Sequence, residues 1–147
     1  MIQKKTIVKA SCHCGSVQLN IFLSNGLDEL IRCNCSICKR AKGFAMICLP
    51  QEDVQVIEGR ESITEYIFNT ASAPHFFCIV CGIHTHHKSR SRPDRICINI
   101  ACIDELNLEE YNKQVVKLKH LSFVGVSNEE ADVDKFCNND VCDIPEV

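Results

Sequence analysis

"CIVCG", residues 78–82, places two cysteines at the ends of a four-residue stretch and follows them with a glycine. A tight turn of this kind, a zinc knuckle, directs two thiolates at one metal ion, and the glycine lets the chain reverse with a positive φ angle. A tetrahedral site needs a second pair of ligands, and the nearest complete candidate is "CHCG" at residues 12–15. Joining the two predicts a closed zinc site that ties the N-terminal strand to the middle of the chain, with the ligands Cys12, Cys14, Cys78 and Cys81.

A further group of cysteines, in "RCNCSICKRAKG" at residues 32–43, has three members, Cys33, Cys35 and Cys38. Structural zinc takes four protein ligands, whereas catalytic zinc takes three and leaves one position open. If the knuckles form one site, the triplet predicts a second zinc with a vacant position. The alternative is that a histidine, for example His13 or His84, completes a second structural site.

The spacing Cys-x-x-Cys also occurs in thioredoxin-like redox enzymes, but the βαβ pattern that accompanies it is missing here. The chain has 12 cysteines in 147 residues, and its first residues lack the apolar stretch of a secretory signal. We therefore expect reduced thiols in a cytoplasmic protein, where clustered cysteines bind metal or carry out chemistry.

Length and charge narrow the class of protein further. The length predicts one domain, at residues 1–127, followed by an acidic tail at residues 128–147 that contains one lysine. Sixteen basic residues against 19 acidic ones give a formal charge of −3, which disfavours nucleic acid and anionic membranes as partners. The apolar runs are too short to span a bilayer. No motif specifies an oligomeric state.

Alternating apolar residues predict a mainly β fold of antiparallel strands with the cysteine clusters at the turns. In "RICINIAC", residues 95–102, the isoleucines fall on one face, as in a half-buried strand. The other predicted strands are Ser16–Leu23, Ala45–Leu49, Val54–Glu58, Ile63–Asn69, Gly82–His87 and Val115–Phe123. Short helices are expected only near Ser36–Lys42 or Asp104–Tyr111.

The remaining cysteines and histidines have simpler interpretations. Those in apolar strand patterns are expected to be small buried hydrophobes, namely Cys48, Cys97 and Cys102. Cys137 and Cys142 in the acidic tail are expected to be free thiols. Strand alternation places His84 and His86 on one side of their strand, where they would line a pocket or form part of a polar surface.

Four stretches together resemble a known family: "SCHCGSV" at 11–17, the triplet stretch, "FFCIVCGIHTHH" at 76–87 and "INIACIDE" at 98–105. In this order and at these separations they are similar to the glutathione-dependent formaldehyde-activating enzyme family, which includes centromere protein V. The likeness covers residues 8–122.

The resemblance implies an Mss4-like fold of small antiparallel sheets stapled by zinc. It implies two zinc ions, one structural and one catalytic, the latter bound by Cys33, Cys35 and Cys38. The implied activity is that of a carbon–sulfur lyase that forms S-hydroxymethylglutathione from glutathione and formaldehyde. Near the triplet, basic side chains are candidates for the carboxylates of glutathione or for ordinary solvated charge: Lys39, Arg40 and Lys42. Alternatives are a zinc-stapled binding module without catalysis and a lyase for another thiol adduct.

Overall fold

The computed structural model describes residues 4–27, 30–33, 36–41, 45–68, 73–90, 92–107, 109 and 111. These residues form nine strands and one short helix: β1 (Thr6–Ser11), β2 (Gln18–Leu23), β3 (Leu30–Arg32), α1 (Ser36–Ala41), β4 (Ala45–Pro50), β5 (Val54–Glu58), β6 (Ile63–Tyr66), β7 (His75–Cys78), β8 (His84–Lys88) and β9 (Arg95–Asn99). The predicted mainly β, antiparallel fold class is confirmed. Within the described residues, no helix is long and apolar enough to cross a bilayer.

The smaller of two sheets has three antiparallel strands in the order β1-β2-β5. Its central strand alternates strictly between partly and fully buried positions, and its buried side chains are Leu19, Ile21 and Leu23. A three-stranded sheet of this size needs an apolar face to be covered by another element. The second sheet provides that cover.

The larger sheet has six antiparallel strands in the order β3-β4-β9-β8-β7-β6. Residues directly opposite each other point to the same face, so the register divides the sheet into two faces. One face, here called the core face, packs against the smaller sheet in a cluster that includes Leu30, Ile47, Leu49, Ile96 and Ile98. The opposite face, here called the cysteine face, carries Met46, Cys48, Cys97, His75 and His87.

Backbone contacts join the two sheets near the end of β1. Ala10 forms an isolated antiparallel bridge with Ile103, and the Asp104 amide donates to the Lys9 carbonyl at 3.0 Å. The Ser11 hydroxyl also donates to the Asp104 carboxylate. These contacts fix the β1–β2 hairpin against the chain that follows β9.

Two predicted strands agree most closely with the structure. Val54–Glu58 has the bounds of β5, and Ala45–Leu49 is one residue shorter than β4, which ends at Pro50. The prediction for residues 95–102 was wrong in two respects, because the strand ends at Asn99 and continues as a 3₁₀ turn, Ile100–Cys102. It is also buried on both faces, because Ile98 packs in the core cluster and Cys97 packs with Cys33 and Cys38 on the opposite side. The predicted strand at 115–123 and the tail at 128–147, with Cys137 and Cys142, lie outside the described residues.

Candidate metal centre and cysteine face

Two hairpin turns from different sheets bring four cysteines together. Cys12 and Cys14 lie on the turn between β1 and β2, while Cys78 ends β7 and Cys81 lies on the turn between β7 and β8. Their four Sγ atoms all lie within 4.8 Å of one another. The centre therefore spans the two sheets at the point where their turns meet.

The sulfur spacing matches the geometry of tetrahedral zinc. Zn–S bonds of about 2.3 Å place neighbouring sulfurs of a tetrahedron about 3.8 Å apart. The Sγ of Cys14 lies 3.6 Å from that of Cys12 and 3.7 Å from that of Cys78. This cluster can therefore hold one metal ion, and its four sulfur donors fit a closed site for zinc.

Backbone amides donate hydrogen bonds to the sulfurs of this centre. The Val17 amide donates to Cys12 Sγ at 3.3 Å, and the Val80 amide donates to Cys78 Sγ at 3.4 Å. Hydrogen bonds from the backbone amides of Cys14 and Ile83 lower the pKa of Cys81 to about 6. These donors provide the positive partial charges that a cluster of thiolates requires.

The other two pKa shifts in this centre have different causes. Burial raises the pKa of Cys12 to about 11, because the charged thiolate is separated from water. The pKa of Cys14 is lowered, first by the Ser16 hydroxyl, which lies 3.2 Å from its sulfur, and then by the Ser16 amide. Serine at position 16 thus supports the more exposed ligand of the pair.

Glycine is required at two places around this centre. Gly82 has a φ of 74° and its amide donates to the Cys78 carbonyl at 2.8 Å, which closes the knuckle as the sequence predicts. Gly59, outside the cysteine motifs, has a φ of 81°. A Cβ there would overlap the Ser16 carbonyl oxygen and lie 2.7 Å from its carbon. The sequence around Gly59 does not reveal this requirement, because the contact with Ser16 is non-local.

Two members of the cysteine triplet lie together on the cysteine face. Cys33 directly follows β3 and Cys38 lies in α1, and both are buried. They pack in one cluster with Met46, Cys48 and Cys97, with Ile31 and Ile37 against it. Cys35 lies outside the described residues, so the three-ligand site stays a prediction.

The expectation that Cys48 and Cys97 are separate reduced thiols was wrong. Both are buried, as expected, but they form a disulfide. They are directly opposite each other in β4 and β9, a pairing that single-strand patterns do not reveal because it depends on the register between strands 49 residues apart. Cys102 is a buried thiol in the core cluster.

The expectation that His84 and His86 share one side was also wrong. A register shift opposite Phe76 and Phe77 places a β-bulge at Thr85, and a bulge inserts one residue into the alternation. His86 consequently stacks on Phe76, with ring centroids 4.7 Å apart, on the core face. His84 lies instead with two other histidines, His75 and His87.

A group of three histidines lies on the cysteine face: His75, His84 and His87. His75 stacks on His87 with ring centroids 4.6 Å apart, and His75 Nδ1 lies 3.1 Å from His84 Nε2. His87 is directly opposite Cys97 in β9, so this group adjoins the disulfide. His75 was missed because nothing in its own sequence context distinguishes it from a polar strand residue.

The remaining candidate residues are His13 and the basic residues near the cysteine triplet. His13 is exposed on the turn that carries Cys12 and Cys14. Arg40 is exposed on α1, two residues after Cys38, while the Lys39 side chain and Lys42 lie outside the described parts of the chain. Their predicted contacts with glutathione therefore stay predictions.

Antiparallel sheets joined at a four-sulfur centre define a mainly β protein with a cysteine metal site. The sequence profile of the glutathione-dependent formaldehyde-activating enzyme family matches residues 7–120, and the chain belongs to this family. Among solved structures, the chain is similar to a Rhodobacter sphaeroides protein from a structural genomics programme. The two share 39% identity with a TM-score of 0.64, over 70% of this chain and 94% of that one.

Proposed function

We propose that this protein is a zinc-dependent enzyme of the carbon–sulfur lyase type. Its reaction joins glutathione, or another small thiol, to formaldehyde or a related aldehyde, giving an adduct such as S-hydroxymethylglutathione. Family membership supports the reaction class. The observation that carries the proposal is the division of the sulfurs into two clusters, one with four ligands at the hairpin turns and one with Cys33 and Cys38 on the cysteine face.

In this proposal the two clusters have different tasks. Cys12, Cys14, Cys78 and Cys81 bind a structural zinc. The catalytic zinc is held by Cys33, Cys35 and Cys38, where, when bound, it would keep the substrate thiol deprotonated at neutral pH. Apolar side chains around Cys33 and Cys38, including Ile31, Ile37 and Met46, exclude water from this side of the site.

The chain's own residues then position the reactants. The substrate sulfur, oriented beside Cys33 and Cys38, forms a bond to the aldehyde carbon, and the carbonyl oxygen takes up a proton. Of the two histidines that the sequence suggests as pocket residues, His84 groups with His87 on the cysteine face and His86 lies on the core face. His84, which is hydrogen-bonded to His75, is therefore our candidate source of this proton.

Cobalt substitution tests the open site directly. Tetrahedral Co²⁺ reports its sulfur ligands by thiolate-to-metal charge-transfer absorption, so glutathione should produce a saturable increase in this band. S-methylglutathione, which has no free thiol, should produce none. In Cys35→Ser, the glutathione response should disappear while the signal of the four-cysteine centre remains. A full-length protein with two bound cobalt ions and no response to glutathione would contradict the proposal.

Catalysis itself is measured separately. The rate of adduct formation from glutathione and formaldehyde, followed by NMR exchange spectroscopy, should increase with the concentration of zinc-loaded protein and fall to the uncatalysed rate in Cys35→Ser. Unchanged rates in this variant would exclude the triplet as the catalytic site.

One observation favours the alternative, a zinc-stapled binding module. Ile79 and Val80, at the tip of the Cys78–Cys81 turn, expose 58% and 65% of their surface, and Ile83 beside them exposes 36%. Exposed apolar residues that lie together are typical of binding surfaces. Two bound cobalt ions without a glutathione response, together with uncatalysed adduct formation, would favour this function.

A further inference from the structure

The Cys48–Cys97 disulfide lies inside the proposed thiol-handling site. Both cysteines belong to the buried cluster that contains Cys33 and Cys38, and the four share the cysteine face with Met46. Cys102 is equally buried but belongs to the core cluster. A small thiol that reaches Cys33 and Cys38 would therefore arrive beside the disulfide and away from Cys102.

The two strands that carry the disulfide are also held together without it. β4 and β9 form five registered pairs, from Met46 opposite Asn99 to Pro50 opposite Arg95, and β9 pairs with β8 on its other side. The backbone ladder keeps positions 48 and 97 directly opposite each other in either redox state. The bond can thus open and close with little change in the sheet.

We propose that Cys48–Cys97 is a thiol–disulfide exchange site for a low-molecular-weight thiol such as glutathione. This inference rests on the proposed function, because the triplet site delivers the thiol. The thiolate attacks one cysteine sulfur, forming a mixed disulfide, and the other cysteine leaves as a thiolate and takes up a proton. A second thiol molecule then releases the small disulfide. Two thiols are oxidised, and one protein disulfide is reduced to two cysteine thiols.

The consequence is a redox equilibrium at the same face, in which glutathione reduces the Cys48–Cys97 pair and oxidised glutathione re-forms its disulfide. Reduction adds two thiols to the cluster of Cys33 and Cys38, whereas excess small disulfide removes them. The pair therefore makes the sulfur content of the cluster depend on the thiol–disulfide balance around the protein.

The test is a redox titration of the full-length, metal-loaded protein. Samples equilibrated without oxygen at graded ratios of reduced to oxidised glutathione are acid-quenched, and free thiols are alkylated under denaturing conditions and located by peptide mass spectrometry. Cys48 and Cys97 should become alkylated together, while Cys102 stays alkylated throughout. At a fixed ratio, doubling both glutathione concentrations should raise the reduced-to-oxidised ratio of the pair about twofold, because two thiols enter for each disulfide that leaves.

Delivery of the thiol is tested by rates. Reduction of the disulfide by glutathione should be at least about tenfold slower in Cys35→Ser than in the wild type, since the proposed thiol site is lost. Reduction by a phosphine, which needs no thiol site, should be unchanged in this variant. Cys102→Ser is the matched control and should resemble the wild type with both reductants.

Three results would overturn the inference. The Cys48–Cys97 pair could remain oxidised at every glutathione ratio in the native protein. Alternatively, both cysteines could still be alkylated, and therefore reduced, in excess oxidised glutathione. Equal glutathione rates in Cys35→Ser and wild type would refute delivery through the triplet. These readouts do not depend on aldehyde chemistry, so loss of the cobalt response or of adduct formation identifies a failure of the proposed function separately.

Discussion

Replacing Gly59 by alanine should destabilise the four-cysteine centre from outside its ligand set. Gly59 has a φ of 81°, and an alanine Cβ would overlap the carbonyl of Ser16, which lies between Cys14 and Val17. The left-handed backbone costs an alanine about 1–2 kcal/mol. Overpacking against a backbone that cannot rotate away adds about 1–3 kcal/mol. We expect Gly59→Ala to lower the free energy of unfolding by about 2–5 kcal/mol.

Gly15→Ala provides the matched control. Its φ is 78°, close to that of Gly59, but a Cβ at Gly15 meets nothing within 4 Å. It should therefore lose only the backbone part, about 1–2 kcal/mol. Urea unfolding of both variants, with metal bound, measures the difference, and a cobalt titration reports whether the centre is also distorted. Equal losses in the two variants would refute the contact between Gly59 and the Ser16 carbonyl as the source of the effect.

Further predictions concern the centre, the disulfide and the core. Cys81→Ser should unfold the domain, because zinc centres contribute about 10–16 kcal/mol, which matches or exceeds the whole stability of a typical domain. Cys35→Ser should stay folded. Circular dichroism with metal analysis distinguishes the two variants, and a folded Cys81→Ser would contradict the structural role of the four-cysteine centre. Reducing Cys48–Cys97 should lower the free energy of unfolding by about 4 kcal/mol, because the disulfide closes a loop between residues 49 positions apart. The loss is measured as a lower urea midpoint, and an unchanged midpoint would contradict a stabilising role for the disulfide. Ile98→Ala should cost about 2–5 kcal/mol in the same assay, because this side chain is fully buried, and a loss below about 1 kcal/mol would contradict its place in the core.

The four cysteines that the sequence predicts as one centre lie together in the structure, because each half of the centre is local. Two cysteines and a glycine on one turn determine both the direction of the sulfurs and the reversal of the chain. Only the pairing of the two halves is long-range, and once the triplet is set aside only one complete pair remains for "CIVCG". The structure brings these four residues together.

What the sequence did not predict depends on register. The disulfide requires Cys48 to lie opposite Cys97, and a shift of one residue between β4 and β9 would send one of them to the other face. The bulge at Thr85 has the same character, since one inserted residue separated His84 from His86. Periodicity within a strand gives the pattern of faces but does not fix where that pattern is interrupted.

The positions of the two sulfur clusters bear on the proposed function, which assigns a rigid metal site to one cluster and an exchangeable one to the other. The four-cysteine centre lies where turns of both sheets meet, so a ligand lost there also loosens the join between the sheets. Cys33 and Cys38 lie on the face of the larger sheet that points away from the smaller one, outside the core cluster. Sulfur chemistry on that face does not have to disturb the contact that stabilises the fold. The same separation allows the Cys48–Cys97 bond to exchange while the ladder around it stays paired.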